Sequence, residues 1–337
     1  LCDRRQRQMC IRDRGKLPVP KYISHPIFKD NAAATTAFQN GDIDVAQIFI
    51  TDLQKLWLEQ DLPISTYVDE APYQLCMTMP TLFFNTEVEG LDQVAVRKAI
   101  AMAVDYDQVI SSAMSGQSPT FADVPRSVMN PTDAEQAMVD QDALKEYQWS
   151  NADVEGAKKL LDDAGIVDTD GDGIREIDGE NINLHYVSYE NRLLNDFSNA
   201  HIQYLAEIGI GCTADYGSSD DQWSKLAAGD YDFNNNNWIT VGTGDPYAYM
   251  ATWATDTTYC GYSNPEYDKL FEQLKSEMDE DKRADLIFQM QQILVDDAAV
   301  LIDGYYNSSM IYSKNVGNAH IHTADYYWLT TEITPAQ

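Results

Sequence analysis

The chain reads as an α/β protein, because apolar strand-like runs alternate with helical patterns and turn signals along most of its length. The clearest unit is residues 82–110, LFFNTEVEGLDQVAVRKAIAMAVDYDQVI. An apolar strand ends with Asn85 in its exit turn, a short loop follows, and two helices are joined at Asp105. Val96, Ile100, Ala103 and Val104 share one face of the first helix, with Asp92 placed to cap it; Asp105 can cap the second, which stops by Gly116. Arg97 then sits inside an otherwise apolar element. A second unit runs from the helix AKKLLDDAG (157–165) through DTDGDGIREIDG to a strand at 182–189 and a helix at 193–208. With 44% hydrophobic residues over 337 positions, the chain can build more than one core.

Charge narrows the classes of partner. There are 23 basic and 54 acidic residues, a net charge of -31. Such a surface repels nucleic acid and anionic lipid and favours solubility. No run approaches membrane-spanning length, since the best candidate, residues 99–104, is bounded by Lys98 and Asp105.

The first fourteen residues, LCDRRQRQMCIRDR, contradict the rest: they hold five arginines and two aspartates, so the remainder carries -34. Met9 to Arg14 can be spelled ATG TGT ATA AGA GAC AGR, which matches a transposase end sequence used in sequencing libraries. We read residues 1–14 as translated adapter and exclude them from fold reasoning. On that reading native sequence starts at Gly15, and nothing about a leader or anchor follows from this end of the chain.

The wording of the first unit is rarer than its pattern. An apolar strand ending in Asn-Thr, then Val-Arg-x-Ala-Ile-x-x-Ala-x-Asp, resembles the signature of the extracytoplasmic solute-binding proteins of ABC importers, in family 5, which takes oligopeptides, dipeptides and nickel. Other stretches resemble the same family in the same order. They are YISHPIFKDNAAATTAFQNGDID (22–44), where a strand leads to a helix and a Gly-Asp-Ile-Asp turn; the helix, acidic turn and strand of 157–189; the helix 193–208 with Gly209; the tryptophan loop 238–246 ending in Asp-Pro; YSNPEYDKL (262–270); and RADLIFQMQQIL (283–294). One departure is Ala299 in DDAAVLI, where the family usually has proline.

The resemblance implies a two-lobe, type II periplasmic-binding-protein-like fold, of which the second lobe and part of the first are present. Residues 15–79 look like the tail of the first lobe, 80–310 the second lobe, and 311–337 a return segment. Hinges are then expected at 77–82 and 305–309, with rotation at Pro80 and Ser308. It also implies binding without catalysis, an oligopeptide or other small polar solute as ligand, a membrane permease as partner, and an extracytoplasmic location with a lipid anchor in the full-length protein. No cofactor or metal is expected.

Residues 231–238, YDFNNNNW, occupy a strand position with four asparagines, a residue depleted from strands because its amide competes with the ladder. On a two-residue period Asn235 and Asn237 face one way, and Asn234, Asn236 and Trp238 the other. The stretch is either a polar turn before the strand or a polar wall leading into a cleft, with Trp238 as a flat apolar contact. The family lines its ligand cleft with the loop after this tryptophan, which makes Thr240, Gly242, Thr243 and Asp245 candidates beside Asn237. A second rim is the strand exit Tyr189, Asn191 and Arg192. Peptide-binding members commonly place an aspartate at the position of Gly242, where it pairs with the ligand's terminal ammonium. Losing one partner of a buried charge pair costs roughly 2 to 5 kcal/mol, about two to three orders of magnitude in affinity. Either Asp245 substitutes from one turn away, or the ligand is uncharged at that end, as an oligosaccharide would be.

Asp168, Asp170 and Asp172, followed by Gly173, resemble the front of a calcium loop. The back half fails, because position twelve is Gly179, and Arg175 at position eight brings positive charge to the loop. A tight acidic turn is the main reading, with calcium binding the alternative. No nucleophile elbow, zinc-protease helix or phosphate loop is present. His320 and His322 read as surface residues. Cys76, Cys212 and Cys260 read as buried thiols. The main alternative from another class is a secreted glycoside hydrolase, motivated by the abundance of carboxylates and aromatics; a surface adhesion module with a calcium turn would need repeats of the acidic motif, and there is one. DNA read in an unfragmented molecule across Arg14 and Gly15 is expected to depart from this sequence at the junction; native codons continuing unchanged upstream would make the basic arm genuine.

Overall fold

The computed structural model describes residues 19–29, 31–48, 55, 57–60, 62, 64–66, 75–114, 118–189, 192–238, 245–258, 260–319 and 333–336. In chain order the longer elements are α1 (Asn31–Gln39), β1 (Val45–Ile48), β2 (Ile64–Thr66), β3 (Leu75–Phe84), α2 (Val94–Ala103), α3 (Tyr106–Ala113), α4 (Val154–Asp163), β4 (Asn183–Tyr189), α5 (Arg192–Glu207), β5 (Gly211–Gly217), α6 (Ser219–Ala228), β6 (Phe233–Trp238), α7 (Pro265–Leu274), α8 (Glu280–Asp296), β7 (Val300–Ile302) and β8 (Tyr306–Ser313). The chain divides into two compact units, one taking in residues up to Met77 and from Asn307, the other Thr78–Tyr306. Both passages fall within strands, β3 and β8, two residues before and four before the boundaries read from sequence.

In the first unit, β1 and β2 each pair antiparallel with β8, Ala46 lying opposite Ile311 and Ser65 opposite Tyr312. Phe38, Ala46, Trp57, Ile64 and Ile311 form its buried cluster. The strand expected early in 22–44 does not form: residues 22–29 have no regular structure, and Pro26 there has no N–H to give a ladder.

The second unit is built on a five-stranded arrangement in the order β7-β3-β6-β4-β5, with β4 parallel to both β5 and β6, and β3 antiparallel to β6 and β7. Side chains alternate across a strand, and here the alternation assigns the helices. Tyr186 meets His201 of α5, while its neighbour Val187 packs with Leu226 of α6. The two crossover helices therefore cover opposite faces, as right-handed connections require when the chain steps one way from β4 to β5 and then back across β4 to β6. Asn85 holds the exit of β3 against the start of β6, its Nδ2 donating to Tyr231 O at 2.9 Å and its Oδ1 accepting from Glu87 N at 3.1 Å.

Val96, Ile100, Ala103 and Val104 are all buried, as their common face predicts. Asp105 caps α3, its Oδ1 accepting from Gln108 N at 2.9 Å. Asp92, however, does not cap α2. The helix starts later, with Gln93 as N-cap, because Asp92 Oδ1 is spent on the amide of Gly90, a residue in the left-handed region at φ +91°. Arg97 has a structural task. Its Nη1 donates to Leu91 O at 2.6 Å, its Nε to Asp297 O and Ala298 O at 3.1 and 3.2 Å, and its Nη2 to Asp297 O. A buried cation thus closes the C-terminus of α8, where carbonyls lack intrahelical donors and the helix dipole favours positive charge. Ala299 completes that end, its N–H donating to Leu294 O at 2.9 Å, a bond that the family's proline could not make. Cys260 is buried and Cys212 half-buried; burial, with Asp232 nearby, pushes the Cys212 thiol up to about 12.

Removing the Arg97 tie should be costly. Arg97→Ala is expected to lower the unfolding free energy by about 3 kcal/mol, since several charge-assisted bonds to buried carbonyls are lost at once. Urea denaturation of the parent and the variant checks this, and a loss below about 1 kcal/mol would show that the tie carries little.

Candidate functional site

Among the described residues, the parallel neighbours β4 and β6 pair at Tyr186 with Phe233 and at Val187 with Asn234, and at no other position. Beyond that point the ladder stops, although both strands continue, to Tyr189 and Trp238. The carbonyl of Asn235 accepts instead from the side chain of Gln222 in α6, Nε2 to O 3.0 Å, and Gln222 is itself buried. Two parallel strands that part at their carboxyl ends leave a crevice there, the usual place for a ligand in an open α/β sheet. Both rims read from sequence begin at this edge. The backbone of Tyr189 and Arg192 lies at the exit of β4, and that of Asn237 and Trp238 at the end of β6. Asn191, Thr240, Gly242 and Thr243 lie outside the described residues, as do His320 and His322.

The four asparagines form strand, not a preceding turn, each opposite a β3 residue: Asn234 faces Phe83, Asn235 Leu82, Asn236 Thr81 and Asn237 Pro80. Their amides are served unequally. Asn235 Nδ2 donates to Asp303 Oδ2, and Asp303 Oδ1 lies 3.4 Å from His201 Nε2, all three residues being wholly buried. Asn236 Oδ1 accepts from Asn237 N at 2.9 Å. Asn234 is wholly buried, and neither polar atom of its side chain has a hydrogen-bond partner. Asp303 is absent from the sequence reading; its signal was a lone carboxylate in the apolar run VLIDGYY.

Asp245 is committed elsewhere. Its Oδ2 accepts from Arg283 Nη2 and Nε at 2.6 and 3.2 Å, and its Oδ1 accepts from Tyr247 N at 2.8 Å, anchoring the single turn Tyr247–Met250. Arg283 is held in turn by Leu274 O and Glu277 O at 2.8 and 2.9 Å. A carboxylate in a two-point guanidinium pair is a poor partner for a ligand ammonium. That weakens its role as a substitute for the aspartate missing at Gly242.

The acidic turn brings Asp168, Asp170 and Glu176 together, with one carboxylate oxygen from each inside a 4.8 Å cluster. Glu176, ninth in the loop, was not singled out from sequence. Yet the turn consumes its own acceptors. Asp168 accepts from Gly171 N and Gly173 N at 2.6 and 2.9 Å, and Glu176 from Thr169 N and Oγ1 at 2.7 and 3.1 Å. Arg175, expected to charge the loop, turns away to Ile208 O, Ile166 O and Asp162 at 2.8, 2.5 and 2.6 Å, tying the end of α5 to α4.

This is an α/β lobe in which two parallel strands part at their carboxyl ends, the place where open α/β sheets receive ligands. The chain belongs to the bacterial extracellular solute-binding proteins, family 5, whose model for the middle region matches residues 12–259. The oligopeptide-binding protein OppA of Bacillus subtilis is 24% identical over 332 residues, which is 90% of this chain and 53% of OppA. The structure of the oligopeptide-binding protein AppA from the same organism, in complex with a nonapeptide, superposes with TM-score 0.74 at 21% identity, covering 92% of this chain and 60% of that one. A periplasmic oligopeptide-binding protein from Thermotoga maritima with mannohexaose bound gives TM-score 0.74 at 21% identity, covering 92% and 59%. The chain thus spans about half the length of the curated relatives it matches. These likenesses give it the two-lobe α/β fold of the family. Among the described residues no helix is long and apolar enough to cross a membrane.

Calorimetric titration of the chain with calcium to millimolar concentration is expected to give no binding heat, because the loop's carboxylates already bind its own amides and position twelve offers no ligand. A saturable isotherm would assign the turn to calcium.

Proposed function

We propose that the chain is part of the solute-binding component of an ABC importer, which captures an oligopeptide or similar polar solute outside the cytoplasm and hands it to a membrane permease. The observation that carries this reading is the parting of β4 and β6 beyond Asn234, within a member of family 5. Ligand contacts fall on Asn237 and Trp238, on Thr240, Gly242 and Thr243 in the following loop, and on Tyr189, Asn191 and Arg192 opposite. Asp245 borders them as the Arg283-paired end of that loop. No catalytic step is assigned, consistent with a family of transport components rather than hydrolases. A lipid anchor on the full-length protein belongs to the same reading, as does the division into first-lobe tail (15–79), second lobe (80–310) and return segment (311–337). Closure then turns about residues 77–82 and 305–309.

Peptide is the first reading of the ligand, after OppA and the nonapeptide complex of AppA. One set of observations favours an oligosaccharide as the second. Residues 239–244, ITVGTG, carry no ionisable side chain, Asp245 is paired with Arg283, and the strand feeding the loop is asparagine-rich. The Thermotoga maritima relative shows that a protein named for oligopeptides can hold a mannohexaose.

A protein with the missing upstream portion restored separates the two. Ligand at a hundredfold excess over its dissociation constant adds about 2.7 kcal/mol of stability, a thermal shift that is easily read. Di- to pentapeptides are expected to produce it; stabilisation by manno-, cello- or xylo-oligosaccharides alone would give the site to sugars, and a response to neither would remove both. In the same protein Trp238→Phe is expected to abolish most of the ligand-dependent change in tryptophan fluorescence, and Trp57→Phe to leave it. Small-angle scattering that shows no compaction with any bound ligand would refute lobe closure.

A further inference from the structure

Alternation along β3 shows which backbone groups of β6 face β4. Asp303 N donates to Pro80 O at 2.9 Å, next to the ladder between β3 and β7, so Pro80 turns its backbone to β7. Successive residues of a strand turn their backbone groups to opposite neighbours, so Thr81 and Phe83 turn theirs to β6, where they lie opposite Asn236 and Asn234. Asn85, next in that series, donates its N–H to Asp232 O at 2.7 Å, as the alternation requires. Asn235 and Asn237 therefore face β4. Val187 lies opposite Asn234, so an unbroken ladder would bring Ser188 opposite Asn235. In that slanted parallel pattern Asn235 O would accept from Tyr189 N, and Asn237 N would donate to Tyr189 O.

Side chains take both places instead. Gln222 Nε2 donates to Asn235 O at 3.0 Å, and Asn236 Oδ1 accepts from Asn237 N at 2.9 Å. β4 has not ended there, since Tyr189 still lies opposite Gly217 of β5. Asn235 is wholly buried, so its carbonyl must have a donor from the protein, and whichever donor reaches it decides whether the ladder continues. The fold delivers Gln222 to that point. Leu226 of α6 packs with Val187 and Tyr231, and Gln222 lies one turn earlier on the same helix face. The start of α6 is seated hard against the exit of β5. Ser218 Oγ accepts from Asp221 N at 3.1 Å, and a Cβ on Gly217 would stand 2.3 Å from Asp221 Oδ2, which leaves room only for glycine.

We propose that Gln222 is the positioning residue that ends the ladder between β4 and β6. Its carboxamide, with that of Asn236, stands in for the amide and carbonyl of Tyr189 and holds the two strand exits apart. Without it, Asn235 O would be left buried and unpaired, a cost of about 1–3 kcal/mol that pairing with Tyr189 N removes. Loss of Gln222 therefore extends the ladder and closes the exits. This role in the ladder follows from backbone geometry alone; that the parted exits admit a solute rests on the function proposed above.

Gln222→Met keeps the length of the side chain and removes its donor. Made in the 337-residue chain and measured without ligand by residue-resolved amide hydrogen exchange, it is expected to slow exchange at Tyr189 by roughly two- to tenfold, the worth of one hydrogen bond, after correction for any change in global stability. A general loosening of the helix moves exchange the other way, so Leu226→Ala, on the same face of α6, should slow nothing. Exchange at Tyr189 as fast in Gln222→Met as in the parent, or faster, overturns the proposal. A crystal structure of the parent decides the matter even if the variant does not fold: Gln222 Nε2 on Asn235 O is the expected result, and Tyr189 N bonded to Asn235 O would overturn it. Failure of the solute-binding reading looks different. Di- to pentapeptides and oligosaccharides would then leave the melting temperature of the restored protein unchanged, while exchange at Tyr189 still slowed on substitution of Gln222.

Discussion

The second unit depends on where the parallel ladder between β4 and β6 stops. Had it run the full length of both strands, their exits would lie 4.7–4.9 Å apart, the spacing of paired strands, and a ligand could not enter between them. Stopping it at Asn234 leaves the end of β6 bound to β3 alone, with backbone groups that need other partners. Gln222 supplies one from α6, and Asp303 grips the Asn235 side chain from the other face. Asp303 also ties itself to β3, its N–H donating to Pro80 O at 2.9 Å. The free end of β6 is therefore fixed by side chains, in a direction that a regular ladder would not have given.

This account explains why asparagine occupies a strand. A short amide can reach a buried carboxylate, as Asn235 does, or accept from the next residue's own amide, as Asn236 does. A β-branched apolar residue would pack better, but it would leave a lone pair of the wholly buried Asp303 unanswered, the more costly error. The strand keeps its register through β3 instead of through propensity, with six consecutive pairs from Met79–Trp238 to Phe84–Phe233.

Much of the fold was legible because its signals are local. The apolar face of α2, the Asp105 cap and the turn in which Asn85 Oδ1 accepts from Glu87 N each involve residues a few positions apart, and each forms as read. What sequence could not supply was the partner two hundred positions away. Arg97 looked like a charge misplaced in an apolar helix until Asp297 and Ala298 placed their carbonyls against it. Asp92 failed as a cap for a related reason, since the left-handed turn at Gly90 competed for the same carboxylate and won. Arg175 was read as part of its loop, yet an arginine is long enough to leave its own turn and bind helix ends. The point where β4 and β6 part was not legible, because the length of a ladder between strands some forty residues apart is encoded by no local pattern.

The same reasoning bears on charge. A chain with 54 acidic residues could present a strongly negative cleft and select cationic ligands by field alone. The edge of the sheet is arranged otherwise. Asp245 is neutralised by Arg283 and Asp303 is spent on Asn235 and His201, while the loop between Trp238 and Asp245 holds no charge in its sequence. At the end of β6 the sequence offers the amide of Asn237 and the indole of Trp238, while the opposite rim carries the charged Glu190 and Arg192. Amide and indole groups discriminate by hydrogen-bond geometry and stacking, both of which act only at contact and are little affected by salt. The net charge of -31 acts instead through the field of the whole chain, which disfavours nucleic acid and anionic lipid.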